Sequence, residues 1–237
     1  MNIDTLIEGS KEFNIDLDEK ALGAFRTYKG LLKDWNKKIN ITSITDDVEI
    51  DIKHFLDSLS PLITNLFQGN SRVIDVGTGG GFPGIPLKII NENLEVTLLD
   101  SLNKRINFLN VVIDQLGLEN IRAIHGRAEE LSRRKDYRDQ YDICISRAVA
   151  SLDTLSEYCL PFVKPGGHFI SMKGPDLEEE LNLSKNAIKT LGGQIEKVEM
   201  VKIPLSDIEH SLVIIKKIKQ TPTKYPRGGG KPRKKPL

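Results

Sequence analysis

No stretch of 18 or more apolar residues occurs in this 237-residue chain, which excludes a membrane-spanning helix and any membrane partner that would need one. The opening Met1-Asn-Ile-Asp-Thr5 also lacks the basic and then apolar layout of a secretory leader, so a soluble, cytoplasmic protein is expected. Cysteine is scarce. Cys144 and Cys159 stand alone without metal-ligand spacing, so no disulfide framework and no metal are expected, only two reduced core thiols. No internal repeat is present. The apolar content of 39% suffices for one large domain with an extension, or for two small ones.

Acid is missing from the C-terminal end. From Lys216 onward there are nine Lys or Arg and no Asp or Glu, so the first 215 residues hold the other 25 bases against all 33 acids, a net charge of −8. Two readings of this basic end stand side by side. One is a disordered, solubilising tail. The other is a contact with nucleic acid, in which each neutralised phosphate releases counterions.

What the sequence has in excess is glycine at one place. Residues 72–84, Arg72-Val-Ile-Asp-Val-Gly-Thr-Gly-Gly-Gly-Phe-Pro-Gly84, break from a short apolar run into five glycines within eight positions. Val73, Ile74 and Val76 suit a strand covered on both faces, and the glycines after it suit a tight turn that a ligand approaches closely. A second apolar run, Val96-Thr-Leu-Leu-Asp100, ends in a carboxylate 23 residues beyond Gly77, where it can accept hydrogen bonds from both hydroxyls of a ribose. A dinucleotide loop of the form G-x-G-x-x-G would have its third glycine where Phe82 stands, followed here by Pro83. The departure favours S-adenosylmethionine, which has no pyrophosphate. Asp75 inside the first strand agrees, because a carboxylate repels pyrophosphate and attracts a cationic cofactor.

Ahead of this stretch the periodicity is helical. Leu17, Ala21, Leu22, Phe25, Tyr28, Leu31, Leu32 and Trp35 predict a helix over 18–38 capped by Asp16 or Asp18, and a second pattern spans 46–67. Gln68-Gly69-Asn70-Ser71 reads as a hinge. Strands are then predicted at 72–77, 95–100, 121–124, 142–146, 167–173, 194–203 and 210–217, with helices at 84–92, 103–116, 128–134, 151–160 and 176–191. Alternation implies an α/β, Rossmann-like, mostly parallel sheet of seven strands. No helical pattern separates the last two strands, so they are expected to form an antiparallel hairpin, the ending that class I methyltransferases have. The expected division is an N-terminal helical extension (1–68), a methyltransferase domain (69–217) and a basic tail (218–237).

In such a sheet, ligands sit just beyond the carboxyl ends of the strands. The third strand is followed by His125-Gly-Arg-Ala-Glu129-Glu130, which suits an adenine held at Ala128 and Glu129 and equally suits a plain helix start with acids in its first turn. The fourth ends in Ser146-Arg147, without an Asn-Pro-Pro-aromatic loop for an exocyclic amine or a nucleophilic cysteine for a pyrimidine carbon. Methyl transfer to a ring nitrogen fits this lack, since its exposed lone pair needs alignment and no general base. Arg147 suits a phosphate, a guanine edge or the cofactor's carboxylate. His54 and Asp57, three residues apart, are either a helix-surface or core hydrogen-bonding pair or part of an acceptor site.

The combination of Val73–Leu87, Leu98-Leu-Asp-Ser101, His125-Gly-Arg-Ala-Glu129, Ser146-Arg-Ala-Val-Ala150, Lys53-His-Phe-Leu-Asp-Ser-Leu59, Asn40-Ile-Thr42 and the ending 224–237 resembles the RsmG (GidB) family of bacterial 16S ribosomal RNA methyltransferases, over nearly the whole chain. The resemblance implies transfer of a methyl group from S-adenosylmethionine to N7 of guanine 527 in the 530 loop, with 16S ribosomal RNA or the small subunit as partner. It carries cofactor contacts over to Gly77, Phe82, Ala128, Glu129 and Arg147, beside which the residues themselves add Asp75, Gly79 and Asp100. It gives no firm catalytic base, leaving Arg147, His54 and Asp57 as acceptor-site candidates. It also turns the basic end towards RNA, with Lys224, Lys231 and Arg233 joined by Tyr225 to stack and Arg227 to grip phosphate. A monomer is expected. A small-molecule methyltransferase and a non-catalytic RNA-binding factor on the same fold are the alternatives.

Overall fold

The computed structural model describes residues 3–147 and 150–237. Helix α1 (Asp4–Glu12) and the long α2 (Glu19–Ile39) come first. Asp18 caps α2 by accepting the Ala21 N–H at 2.7 Å, and Asn40 in the left-handed region ends it. The sequence pattern places no separate helix at α1, whose Leu6, with Ile3 just before the helix, is nonetheless buried. Helix α3 (Asp47–Ile50) then runs into a π-helical stretch (Asp51–Leu56), a further turn α4 (Asp57–Leu59) and a 3-10 turn (Ser60–Thr64). The predicted single helix over 46–67 is thus divided, and Pro61 lies within its tightened last turn.

From there strands and helices alternate: β1 (Arg72–Val76), α5 (Gly84–Ile90), β2 (Glu95–Asp100), α6 (Asn103–Leu116), β3 (Ile121–His125), α7 (Ala128–Leu131), β4 (Tyr141–Ser146), α8 (Leu152–Cys159), β5 (Val163–Lys173), α9 (Glu178–Thr190), β6 (Gly193–Lys202) and β7 (Glu209–Lys217). They form one seven-stranded sheet in the order β3-β2-β1-β4-β5-β7-β6. The first five strands in chain order are parallel, and β7 lies antiparallel between β5 and β6, as the hairpin pattern predicts. Order reverses between β1 and β4, the switch point at which open parallel sheets bind ligands. Among the described residues no helix is long and apolar enough to cross a membrane.

Alternate side chains of each strand enter different layers. Val73, Val96, Leu98, Ile143 and Ile145 join one apolar cluster with α2, α5, α6 and the N-terminal helices. Ile74, Val76, Leu99, Cys144 and Phe169 join the other, with α8, α9 and Tyr225 from the C-terminal end. The 1–68 extension therefore shares its core with the sheet. Cys144 and Cys159 are buried free thiols in the second layer, and burial pushes the Cys144 thiol well up.

The C-terminal end is folded onto this second layer. Lys217 is fully buried at the end of β7, where its ammonium donates to the Val163 carbonyl at 2.9 Å; burial pulls its pKa down to about 8. Thr221, Tyr225 and Pro226 are buried, and a short helix α10 (Lys231–Lys234) follows.

One buried ion pair ties the extension together. Lys29 of α2 places its ammonium 2.6 Å from Asp51 of the π-helical stretch and 3.0 Å from the Asp47 carbonyl, with both side chains out of solvent. Burial outweighs the lysine and raises Asp51 to about 6. Removing one partner of such a pair leaves an uncompensated buried charge. Lys29→Met is expected to lower unfolding free energy by about 3–5 kcal/mol, measured by urea denaturation. The double variant Lys29→Met/Asp51→Leu is expected to recover most of that loss.

Candidate functional site

The turn after β1 is built from glycines with two different tasks. Gly77 (φ 75°) and Gly79 (φ 61°) lie in the left-handed region, and a Cβ on Gly77 would meet no atom within 4 Å. The bare backbone of Gly77 lines a cleft of about 860 Å³, within the range of ligand pockets. Gly84 is the opposite case. A Cβ there would lie 2.4 Å from Leu98 Cδ2, so the helix α5 packs on the sheet only with glycine at that position.

Asp75 holds this turn from beneath. The sequence pattern assigns it to a cationic cofactor; the structure buries it completely and directs its Oδ2 to the Thr78 hydroxyl at 2.7 Å and the Gly84 N–H at 2.8 Å. Burial raises Asp75 to about 6. Asp75 positions the loop, whereas Asp100 lines the cleft. Its Oδ2 accepts the Gly79 N–H at 2.9 Å and Arg105 at 3.2 Å, and its Oδ1 accepts the Leu102 N–H at 2.9 Å. A carboxylate has about four acceptor directions, so one on Oδ1 remains for a ribose hydroxyl, where the sequence suggests two such contacts. Ala128 and Glu129 form the next part of the wall, with Leu99 and Leu155 supplying apolar surface. Free acceptor carboxylates beside bare glycine backbone and aliphatic side chains suit an adenosine bearing a cationic sulfur.

Phe82 is buried beside the turn, not in the cleft wall. His54 stacks on its ring at 4.5 Å with 8° between planes, Tyr28 at 5.4 Å with 23°, and the Arg147 guanidinium lies 5.2 Å from its centroid. The Tyr28 hydroxyl donates to the Gly80 carbonyl, so the N-terminal extension grips the loop directly. Around this ring the candidates His54, Asp57 and Arg147 come together. Arg147 donates to the Lys53 carbonyl at 3.1 Å and to Asp57 Oδ2, and its other amino group faces His54 Nδ1 at 3.5 Å.

His210 completes the group and is not legible in the sequence. It sits in β7, 2.6 Å from Asp57 Oδ1 and 2.9 Å from the Ser60 hydroxyl. Burial pushes the Asp57 pKa up, but the hydrogen bond from His210 and the charge of Arg147 outweigh it and hold the carboxyl below its usual range. Lys53, Asp57, Arg147, Lys173 and His210 line a second cleft of about 570 Å³ with Met172, Ile203 and Ile208. Ala148 and Val149, which follow Arg147, lie outside the described residues.

The basic end is divided. Lys224, Lys231 and Arg233 are exposed. Tyr225 is 8% exposed and unavailable for stacking on a base, and Arg227 is held by Glu157 of α8, with Nη2 to Oε2 at 2.6 Å and Nε to Oε1 at 3.0 Å. Both residues are thus engaged by the body of the protein in this structure.

His54 is neutral across the working pH range. Burial, and next to it the Arg147 charge, lower its pKa to about 4. As pH falls, the unfolded chain takes up the proton first, near 6.5. The stability that neutral His54 confers is therefore complete above pH 6.5 and lost as pH falls towards 4. Asp51 and Asp75 titrate in the opposite sense, so the wild type is compared with His54→Gln. Between pH 7 and pH 4 the wild type is expected to lose about 3 kcal/mol more than the variant, measured by urea denaturation; parallel curves would contradict this.

Comparison with known proteins agrees with this geometry. The family model described as rRNA small subunit methyltransferase G (GidB) matches residues 21–211. A ribosomal RNA small subunit methyltransferase G of Alkaliphilus metalliredigens is 52% identical over 232 residues, covering 98% of this chain and 97% of the relative. Another from Clostridium perfringens is 54% identical, covering 95% and 93%. Among solved structures, M. jannaschii TYW2 in complex with AdoMet superposes with a TM-score of 0.53 at 18% identity, covering 68% of this chain and 77% of that one. MtNAS in complex with MTA and tNA gives 0.55 at 14%, covering 82% and 74%, and both establish the likeness of fold. The match across most of the chain, on a switch-point cleft with an open glycine turn, places this protein in the rRNA small subunit methyltransferase G family.

Proposed function

We propose that this protein transfers a methyl group from S-adenosylmethionine to N7 of a guanine in small-subunit ribosomal RNA, guanine 527 of the 530 loop. The observation that carries the reading is the presence of two clefts, one lined by the bare Gly77 turn and Asp100 and one lined by Arg147, whose guanidinium lies over the Phe82 ring. Bound S-adenosylmethionine supplies an electrophilic methyl group on a sulfonium. Gly77 and Gly79 leave room for its methionine part, Asp100 accepts from a ribose hydroxyl, and Ala128 and Glu129 bound the adenine.

The second cleft suits a base turned out of an RNA loop. Met172, Ile203 and Ile208 give it apolar surface, and Lys53, Lys173 and Arg147 line it as cations paired with Glu49, Glu180 and Asp57, so an RNA phosphate there would compete with those carboxylates. Guanine N7 presents a lone pair without losing a proton first, so the chain must align the base and need not deprotonate it. His54 fits that chemistry. Its neutral ring is engaged by Thr42 at 2.8 Å and stacked on Phe82, which makes it a support for Arg147 rather than a base. Asp57, fixed by His210, holds the guanidinium in one orientation.

Transfer of labelled methyl from S-adenosylmethionine to unmodified small-subunit RNA, free or in subunits, tests the reading. Label on N7 of one guanine in the 530 loop is expected. No label on either substrate, despite measurable cofactor binding, would remove the RNA assignment in favour of a small-molecule acceptor. Arg147→Lys keeps the charge and loses the forked contact. It is expected to lower kcat/KM by about 100-fold, the scale of losing one preorganised donor.

A further inference from the structure

The basic end reaches the cofactor cleft. Gly230, Arg233 and Lys234 line it together with Gly77, Asp100 and Glu129. Thr154 of α8 both lines the cleft and donates to the Pro232 carbonyl at 3.2 Å, so the segment is attached within the wall itself. Pro232 is buried there.

The segment is anchored well before it arrives. Thr221 donates to the Leu191 carbonyl at 2.7 Å, and Arg138 donates to the carbonyls of Thr221 at 2.7 Å and Tyr225 at 3.0 Å. The strongest tie is Glu157 with Arg227. Glu157 is 1% exposed and accepts from the Arg227 backbone N–H at 2.6 Å as well as from its guanidinium through both oxygens. A buried carboxylate satisfied by one forked partner fixes that partner's backbone, and the three glycines that follow Arg227 then turn the chain into α10.

We propose that residues 228–234 form the closing wall of the cofactor cleft, and that Glu157 and Arg227 are the pair that positions it. The inference rests on the reading that S-adenosylmethionine occupies the cleft. Its consequence is that cofactor affinity depends on the C-terminal segment even when no RNA is present. A segment that serves RNA alone would leave that affinity unchanged.

Isothermal titration of the full chain with S-adenosylmethionine, without RNA, separates the two. Arg227→Gln and Arg233→Ala/Lys234→Ala are each expected to weaken binding at least fivefold. The second variant alters exposed side chains and keeps the Glu157 tie, so it reports even if the first unfolds. Arg227→Lys, which retains the charge, is expected to recover part of the loss. The cofactor is also expected to slow tryptic cleavage after Arg227, Arg233 and Lys234. Unchanged affinity in Arg233→Ala/Lys234→Ala, with unchanged cleavage, would overturn the proposal while leaving the cofactor reading intact. Failure of the wild type to bind S-adenosylmethionine would overturn both.

Discussion

The packing around Phe82 joins the N-terminal helices, the glycine turn and Arg147. One ring touches His54 and Tyr28 of the N-terminal extension, sits in the glycine turn and lies under the guanidinium of Arg147. Truncating a buried phenylalanine typically costs about 3–5 kcal/mol, but its position matters more than its area. Ring contacts fix the angle at which the extension meets the sheet, and Tyr28 carries that angle into the loop through the Gly80 carbonyl. The glycine turn and the Arg147 cluster therefore meet at the same side chain, which lines neither cleft.

Charge is arranged around this apolar centre so that few groups are left to choose their own geometry. Arg147 is oriented by Asp57, Asp57 by His210, and His210 by Ser60. On the other side Asp100 gives three of its acceptor directions to the protein, which leaves its last one with a defined aim. Both carboxylates are held by contacts from more than one element. Such chains of fixed dipoles place a substrate without rearrangement during reaction.

The parallel sheet, its closing hairpin and the glycine turn were legible in the sequence because each rests on local pattern: apolar runs, glycine spacing, a carboxylate at a strand end. The helix cap at Asp18 was equally local. What stayed hidden depends on which partner claims each side chain, and for most residues that partner is remote in the chain. Asp75 reads as a cofactor contact until its neighbours Thr78 and Gly84 are seen to claim its oxygen. His210 carries no signal in the 203–210 connection, and its meaning comes from Asp57 and Ser60 at the other end of the chain. Tyr225 and Arg227 look like a free basic arm because nothing nearby reveals Glu157, which is 70 residues away. The π-helical stretch at 51–56 has no periodic signature distinct from an ordinary helix.

These separations also bear on how the molecule is made. Contacts between residues far apart in sequence must await closure of long loops, and chains rich in them fold slowly. The cleft lined by Arg147 is assembled from such contacts: Lys53 with Arg147 across 94 residues, Ser60 with His210 across 150. Within the glycine turn the Asp75–Gly84 bond spans only nine residues, although Tyr28 reaches the Gly80 carbonyl across 52. The bond from Gly84 to Asp75 is thus local in the chain, whereas the bonds that surround Arg147 and Asp57 tie together segments from its two ends.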